Sequence, residues 1–97
     1  MYVDRREYSI NIVFNGQRIT NVIIDPHFEL KHAKSINDDI VLALVQKLDG
    51  LVIPPEDEKP PYSYFAQDLS LNNRLYRLVW LVEEDQIYIG VINAYRR

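Results

Sequence analysis

Cysteine is absent from this 97-residue chain, and glycine (3), histidine (2) and methionine (1) are scarce. Without cysteine there is no disulfide framework and no thiolate metal site, and the lack fits a reducing compartment. So few glycines leave no glycine-rich phosphate loop, and no serine-nucleophile motif occurs. Nucleotide hydrolysis by those standard routes is therefore set aside. No apolar run approaches bilayer-spanning length, and the opening Met1-Tyr2-Val3-Asp4-Arg5-Arg6-Glu7 has no apolar leader core. The expectation is a cytoplasmic protein with no membrane partner.

What is present is enough apolar material for one core. The chain is 47% hydrophobic, with 7 tyrosines, 3 phenylalanines and 1 tryptophan, which predicts a single domain over residues 1–97. A net charge of -3, from 14 acids against 11 basic residues, argues at first against nucleic acid. The distribution softens that objection. The acids cluster in Glu56-Asp57-Glu58 and Glu83-Glu84-Asp85, and the rest of the chain carries a basic surplus.

Asn15-Gly16 is the strongest local signal, because this pair supplies the positive φ angles of a type I′ hairpin turn. A two-residue turn sets Phe14 opposite Gln17, Ile12 opposite Ile19 and Tyr8 opposite Ile23. Tyr8, Ile10, Ile12, Phe14, Ile19 and Ile23 would then share a core face. Asp25-Pro26 ends the second strand. The conformation of His27 to Lys34 is left open by its pattern. Ser35 can cap a helix whose stripe runs Ile36, Ile40, Ala43, Leu44 and Leu48, with Asp38 and Asp39 at its positive end and Gly50 past its last turn. Residues 51–61, rich in proline and acid, read as an exposed loop. A strand is expected near Tyr62–Gln67, followed by a hairpin of Arg74–Val82 and Ile87–Arg96 with its turn at Glu83–Gln86. Both hairpin strands are apolar on both faces and belong in the middle of the sheet. The fold class is α+β: a mostly antiparallel sheet of about five strands with one main helix on one face.

Candidate chemistry sits at two places. In the final hairpin, pairing Val82 with Ile87, Trp80 with Ile89 and Leu78 with Val91 brings Tyr76 to Asn93 and Arg74 to Tyr95. That makes one patch, with Arg96 and Arg97 close by. A guanidinium beside phenols and an amide suits a phosphate, although a solvated strand end is the plainer reading. Before the helix, His27, Lys31 and His32 supply imidazoles that titrate near neutrality and a cation. The histidines are five residues apart, on one face of neither helix nor strand, so no metal is assigned to them.

Taken together, His27-Phe28-Glu29-Leu30-Lys31-His32, the helix start Ser35-Ile36-Asn37-Asp38-Asp39-Ile40, Tyr76-Arg77-Leu78-Val79-Trp80, and Tyr88 to Arg97 resemble the barnase/EndoU/colicin/RelE-like superfamily, especially its small prokaryotic members. The resemblance spans roughly residues 24–97. It implies metal-independent, cofactor-free RNA cleavage, in which a ribose 2′-hydroxyl attacks the adjacent phosphate, often within a toxin–antitoxin pair. It makes His32 the base or acid, Lys31 a phosphate contact, Arg74 and Arg96 stabilisers of the charged phosphorane, and Tyr95 a proton donor. His27 is the weaker substitute for His32, and Tyr76 and Asn93 are substrate contacts. The acidic character departs from the basic charge common in such nucleases. The rival reading is a non-enzymatic interaction module, either a homodimer or a degenerate nuclease fold, using the sheet edges at Tyr2–Phe14 or Tyr62–Gln67. A third is RNA binding without catalysis, on Tyr62, Tyr64 and Tyr95 as stacking platforms.

Overall fold

The computed structural model describes residues 6–24 and 36–97. Within them the elements are β1 (Arg6–Phe14), β2 (Gln17–Ile24), helix α1 (Asp38–Gln46), β3 (Asp57–Lys59), β4 (Tyr62–Leu71), β5 (Arg74–Glu83) and β6 (Tyr88–Arg96). They form one curled six-stranded sheet in the order β1-β2-β6-β5-β4-β3, with α1 on its inner face. The sheet is mostly antiparallel and α1 packs on one face, as expected, but it differs from the expected sheet of about five strands in two ways. β2 and β6 run parallel, with Ile24 opposite Val91, while every other neighbouring pair is antiparallel. The added strand, β3, is exposed at every residue and has no apolar period. It exists through main-chain pairing to Tyr62–Tyr64.

Several expected features are in place. Asn15 and Gly16 take positive φ of 53° and 76°, and Phe14–Gln17 and Ile12–Ile19 pair as the turn dictates. β5 and β6 occupy the middle of the sheet. Gly50 has φ 81° and ends the turn after α1, where its N–H reaches the Val13 carbonyl at 2.7 Å. The helix starts later than expected. Asn37 is its cap, accepting from the Ile40 N–H at 2.9 Å. Ser35 lies outside the described residues. Ile36 and Val41, on either side of that cap, are both buried.

The core lies between α1 and the inner face. Trp80 is fully buried at its centre, stacked on Phe65 at 5.4 Å and meeting Phe14 edge-on at 5.6 Å. Val41, Leu44, Val45 and Leu48 close over Ile12, Ile19, Val22, Ile24, Leu78, Ile89 and Val91.

Two bulges decide which side chains enter that core. In β2 the N–H groups of Thr20 and Asn21 both donate to the Ile87 carbonyl, at 2.8 and 3.3 Å. Alternation therefore slips, Tyr8 pairs with Val22, and Val22 and Ile24 are buried while Ile23 faces outward. This corrects the placement of Ile23 in the core. In β6, Val79 pairs with Asn93 but Trp80 pairs with Val91, leaving Ile92 as the extra residue. Both slips have one physical effect. Strict alternation would drive Asn21 and Asn93 into an apolar interior, where an amide without partners is costly. The slips bury Val22 and Ala94 instead. Asn21 then bonds Glu7 at 2.7 Å, and the Asn93 side chain accepts from the Ala94 N–H at 2.9 Å.

Candidate functional site

The parallel β2–β6 pair fixes the polarity of the molecule. β2 ends at Ile24 beside Val91, and β6 runs on past it to Arg96, at the end where β1 and β5 begin. Arg6, Arg74, Arg96 and Arg97 gather there. The opposite end holds the β1–β2 and β5–β6 turns and the close of α1. It carries Asp49, Glu58, Glu83, Glu84 and Asp85, against Arg18, Lys47 and Lys59. Much of the acidic charge thus lies at that end, although Asp38 and Asp68 pair with arginines at the other.

At the arginine end the final hairpin differs from expectation. Val82 pairs with Ile89 rather than Ile87, and Trp80 with Val91 rather than Ile89, because the connection is two residues longer than the tight turn assumed. Beyond the bulge at Ile92, Leu78 pairs with Ala94, Arg77 with Tyr95 and Tyr76 with Arg96. The proposed four-residue patch is thereby split. Arg74, Tyr76 and Arg96 take the inner-face register, whereas Tyr95 and Asn93 pair with Arg77 and Val79 on the outer face. Tyr76 is nearly buried at 5% exposure, while Arg74 and Arg96 are exposed. As diagonal neighbours on one face of an antiparallel pair, their Cα atoms are about 7–8 Å apart. Among the described residues neither joins an ion pair. His27, Lys31 and His32 lie outside the described residues.

Sequence reasoning missed the other inner-face cluster at this end. Arg6 forks onto Asp38, with Nε to Oδ2 at 2.6 Å and Nη2 to Oδ1 at 2.8 Å, and the Tyr8 hydroxyl also donates to Asp38 Oδ2. Asp38 sits in the first turn of α1, where a carboxylate complements the helix dipole. The clamp pins the start of α1 to β1. The hydrogen bonds from Arg6 hold the Asp38 carboxyl below its ordinary range, although partial burial opposes them, and the bond to Asp38 raises the Tyr8 phenol. The alternation that put Tyr8 and Ile10 on the inner face also put Arg6 there, which was the available signal.

The Asp38 clamp makes stability depend on acid. A carboxyl whose folded pKa is depressed contributes fully above the unfolded value, about 3.9, and loses that contribution as pH falls through the folded value. Asp38→Asn is expected to cost about 1 kcal/mol at pH 7, as loss of a charge-assisted pair that solvent partly screens. In urea titrations the gap from the unaltered chain should narrow as pH drops from about 5 toward 2. A gap of constant size would show that Asp38 is not the group responsible.

On the outer face Tyr62, Tyr64, Tyr88 and Tyr95 share the surface with Ile23, Leu81 and Gly90, all half-buried. A shallow cavity of about 230 Å³ lies among Ile23, Tyr64, Leu81, Tyr88 and Gly90. A side chain at position 90 would press on Leu81 Cδ1, 3.1 Å from an ideal Cβ. Farther along, Arg77 donates to Asp68 at 3.0 Å and approaches Glu56 at 3.6 Å, while Arg97 lies 3.6 Å from Asp68. Asp68 raises the Arg77 pKa further, so that guanidinium is a committed structural cation.

Among the described residues no three histidine, cysteine or acidic side chains come together to hold a metal, and no helix is long and apolar enough to cross a membrane. Comparison with known proteins found no matching family model, no matching curated protein and no matching solved structure.

Proposed function

We infer that the protein is a small RNA-cleaving domain of the toxin type, held in check by a partner protein, and that it works at the arginine end of the inner face. The observation that carries this reading is the pair of exposed guanidiniums of Arg74 and Arg96 on one face, which join no ion pair among the described residues, with Glu58, Glu83, Glu84 and Asp85 at the other end. Such a pair suits two phosphate oxygens, and its charge counts most when a pentacoordinate phosphorane gathers negative charge. In the reaction that the resemblance implies, the ribose 2′-oxygen attacks phosphorus and the 5′-oxygen leaves, giving a cyclic phosphate and a 5′-hydroxyl. His32 is the acid–base group from that resemblance, with Lys31 as a further phosphate contact and His27 as the substitute imidazole. Tyr95 drops out as proton donor, since its register faces away from Arg74. The test is cleavage of a mixed-sequence RNA in EDTA by the purified chain, with the arginine variants described in the Discussion. Intact RNA after prolonged incubation sinks the enzyme reading.

The outer face favours a second reading, an interaction module. Four half-buried tyrosines lie there with aliphatic neighbours, and no described helix covers them. If that face joins two copies, light scattering should give a dimer that Leu81→Glu converts to monomer. A monomer at high concentration removes self-association.

A further inference from the structure

Asn15 and Gly16 make the exposed β1–β2 turn. Asparagine is a thermolabile residue, and a following glycine exposes it most, because the glycine nitrogen has no side chain to shield its attack on the carboxamide carbon. On an ordinary exposed turn that carboxamide rotates freely. Here both of its polar atoms are spent on one residue 38 positions away: Nδ2 donates to the Ile53 carbonyl at 3.0 Å, and Oδ1 accepts from the Ile53 N–H at 2.7 Å. The main chain joins the same two segments around this clasp. Gly50 N–H donates to the Val13 carbonyl at 2.7 Å, Val13 N–H to Asp49 Oδ1 at 2.8 Å, and Asn15 N–H to the Leu51 carbonyl at 3.0 Å. The half-buried Ile53 side chain packs against the core.

The Asn15 carboxamide therefore has two exclusive uses. Turned toward Ile53 it closes the clasp; turned back toward Gly16 it is an electrophile. We propose that Asn15 is a self-modification site guarded by Ile53: it deamidates only from the open clasp, and its product leaves the clasp weakened. In the first step the Gly16 nitrogen gives up its proton and bonds to Asn15 Cγ, the Cγ–Nδ2 bond breaks, and ammonia leaves a five-membered succinimide. Water then adds to either ring carbonyl and that C–N bond breaks, leaving an aspartyl or an isoaspartyl residue with a carboxylate. Neither product keeps the Nδ2 donor, so the Ile53 carbonyl loses its partner and faces an acceptor instead. The isoaspartyl product also lengthens the main chain inside a two-residue turn whose geometry admits no extra atom. This site lies at the opposite end from Arg74 and Arg96 and stands or falls independently of RNA cleavage.

The full chain, incubated at neutral pH with and without unfolding urea and then mapped by peptide mass spectrometry, gives the rate of aspartyl and isoaspartyl formation at position 15. The folded chain should react at least about tenfold more slowly, the factor that two modest hydrogen bonds contribute to a local opening equilibrium. Ile53→Pro deletes the N–H donor, and position 53 precedes Pro54, where extended backbone is already favoured. It should raise the folded-state rate about fivefold, one hydrogen bond's share. Ile53→Ala trims the same side chain but keeps the N–H, and should stay close to the unaltered rate. Hydrogen exchange at the Ile53 and Gly50 amides should be faster in the purified converted chain than in the unconverted one. Equal rates in folded and unfolded chain overturn the proposal without recourse to any variant. An Ile53→Ala rate matching that of Ile53→Pro overturns the guarding role, and unchanged exchange after conversion overturns the weakened clasp.

Discussion

RNA cleavage should fall at least about 100-fold when Arg74 and Arg96 are both replaced by alanine, the scale of losing preorganised charge stabilisation at a developing oxyanion. The fold should be untouched. Both side chains are exposed and join no ion pair among the described residues, and surface changes of that kind usually alter stability by less than about 0.5 kcal/mol. Two further readouts separate a phosphate clamp from an incidental surface charge. The slope of log affinity against log salt should shrink by roughly two, one for each phosphate that an arginine no longer neutralises. Tyr95→Phe should leave the rate unchanged, because Tyr95 faces the other side of the sheet with Arg77. A large loss in Tyr95→Phe with none in the arginine variants would place the chemistry on the outer face. Salt-sensitive RNA retention without cleavage would leave a binding domain in place of an enzyme.

Trp80→Ala is expected to be the most destabilising single change, costing about 3–5 kcal/mol by urea denaturation. For a domain of this size total stability is about 5–15 kcal/mol, so much of the population would unfold at 37 °C. Trp80 is fully buried between Phe14 and Phe65, so truncation removes two aromatic contacts and opens the space where β1, β4 and β5 meet α1. Trp80→Phe separates packing from polarity. Among the described residues the indole N–H has no hydrogen-bond partner, so removing it relieves a desolvation cost. Phenylalanine should therefore lose about 1–2 kcal/mol, clearly less than alanine. Equal losses for the two variants would mean that the ring stack contributes little.

The legibility of the sequence followed the range of the forces involved. Asn15-Gly16 announced its turn because left-handed backbone is a property of two adjacent residues. The last two strands were legible because their apolar runs need burial on both faces. The bulges were less plain, yet each has a local trace: Asn21 and Asn93 occupy positions that strict alternation would bury. An amide at a core position is a warning that alternation will slip. The Arg6–Asp38 clamp joins residues 32 apart, and no local period reports such a partner. β3 left no pattern at all, since nothing on it is buried.

By itself, then, the sequence determined the material of the core, the first turn, the helix over the sheet and the central place of the closing hairpin, because periodicity and backbone preference act over a few residues. Only the tertiary structure decided that β2 and β6 lie parallel, and with that, which end collects Arg6, Arg74, Arg96 and Arg97. It also parted Tyr95 from Arg74, through one extra residue at Ile92. Strand neighbours and bulges are settled by the packing of the whole sheet against α1, a balance among residues distant in the chain that no short window contains.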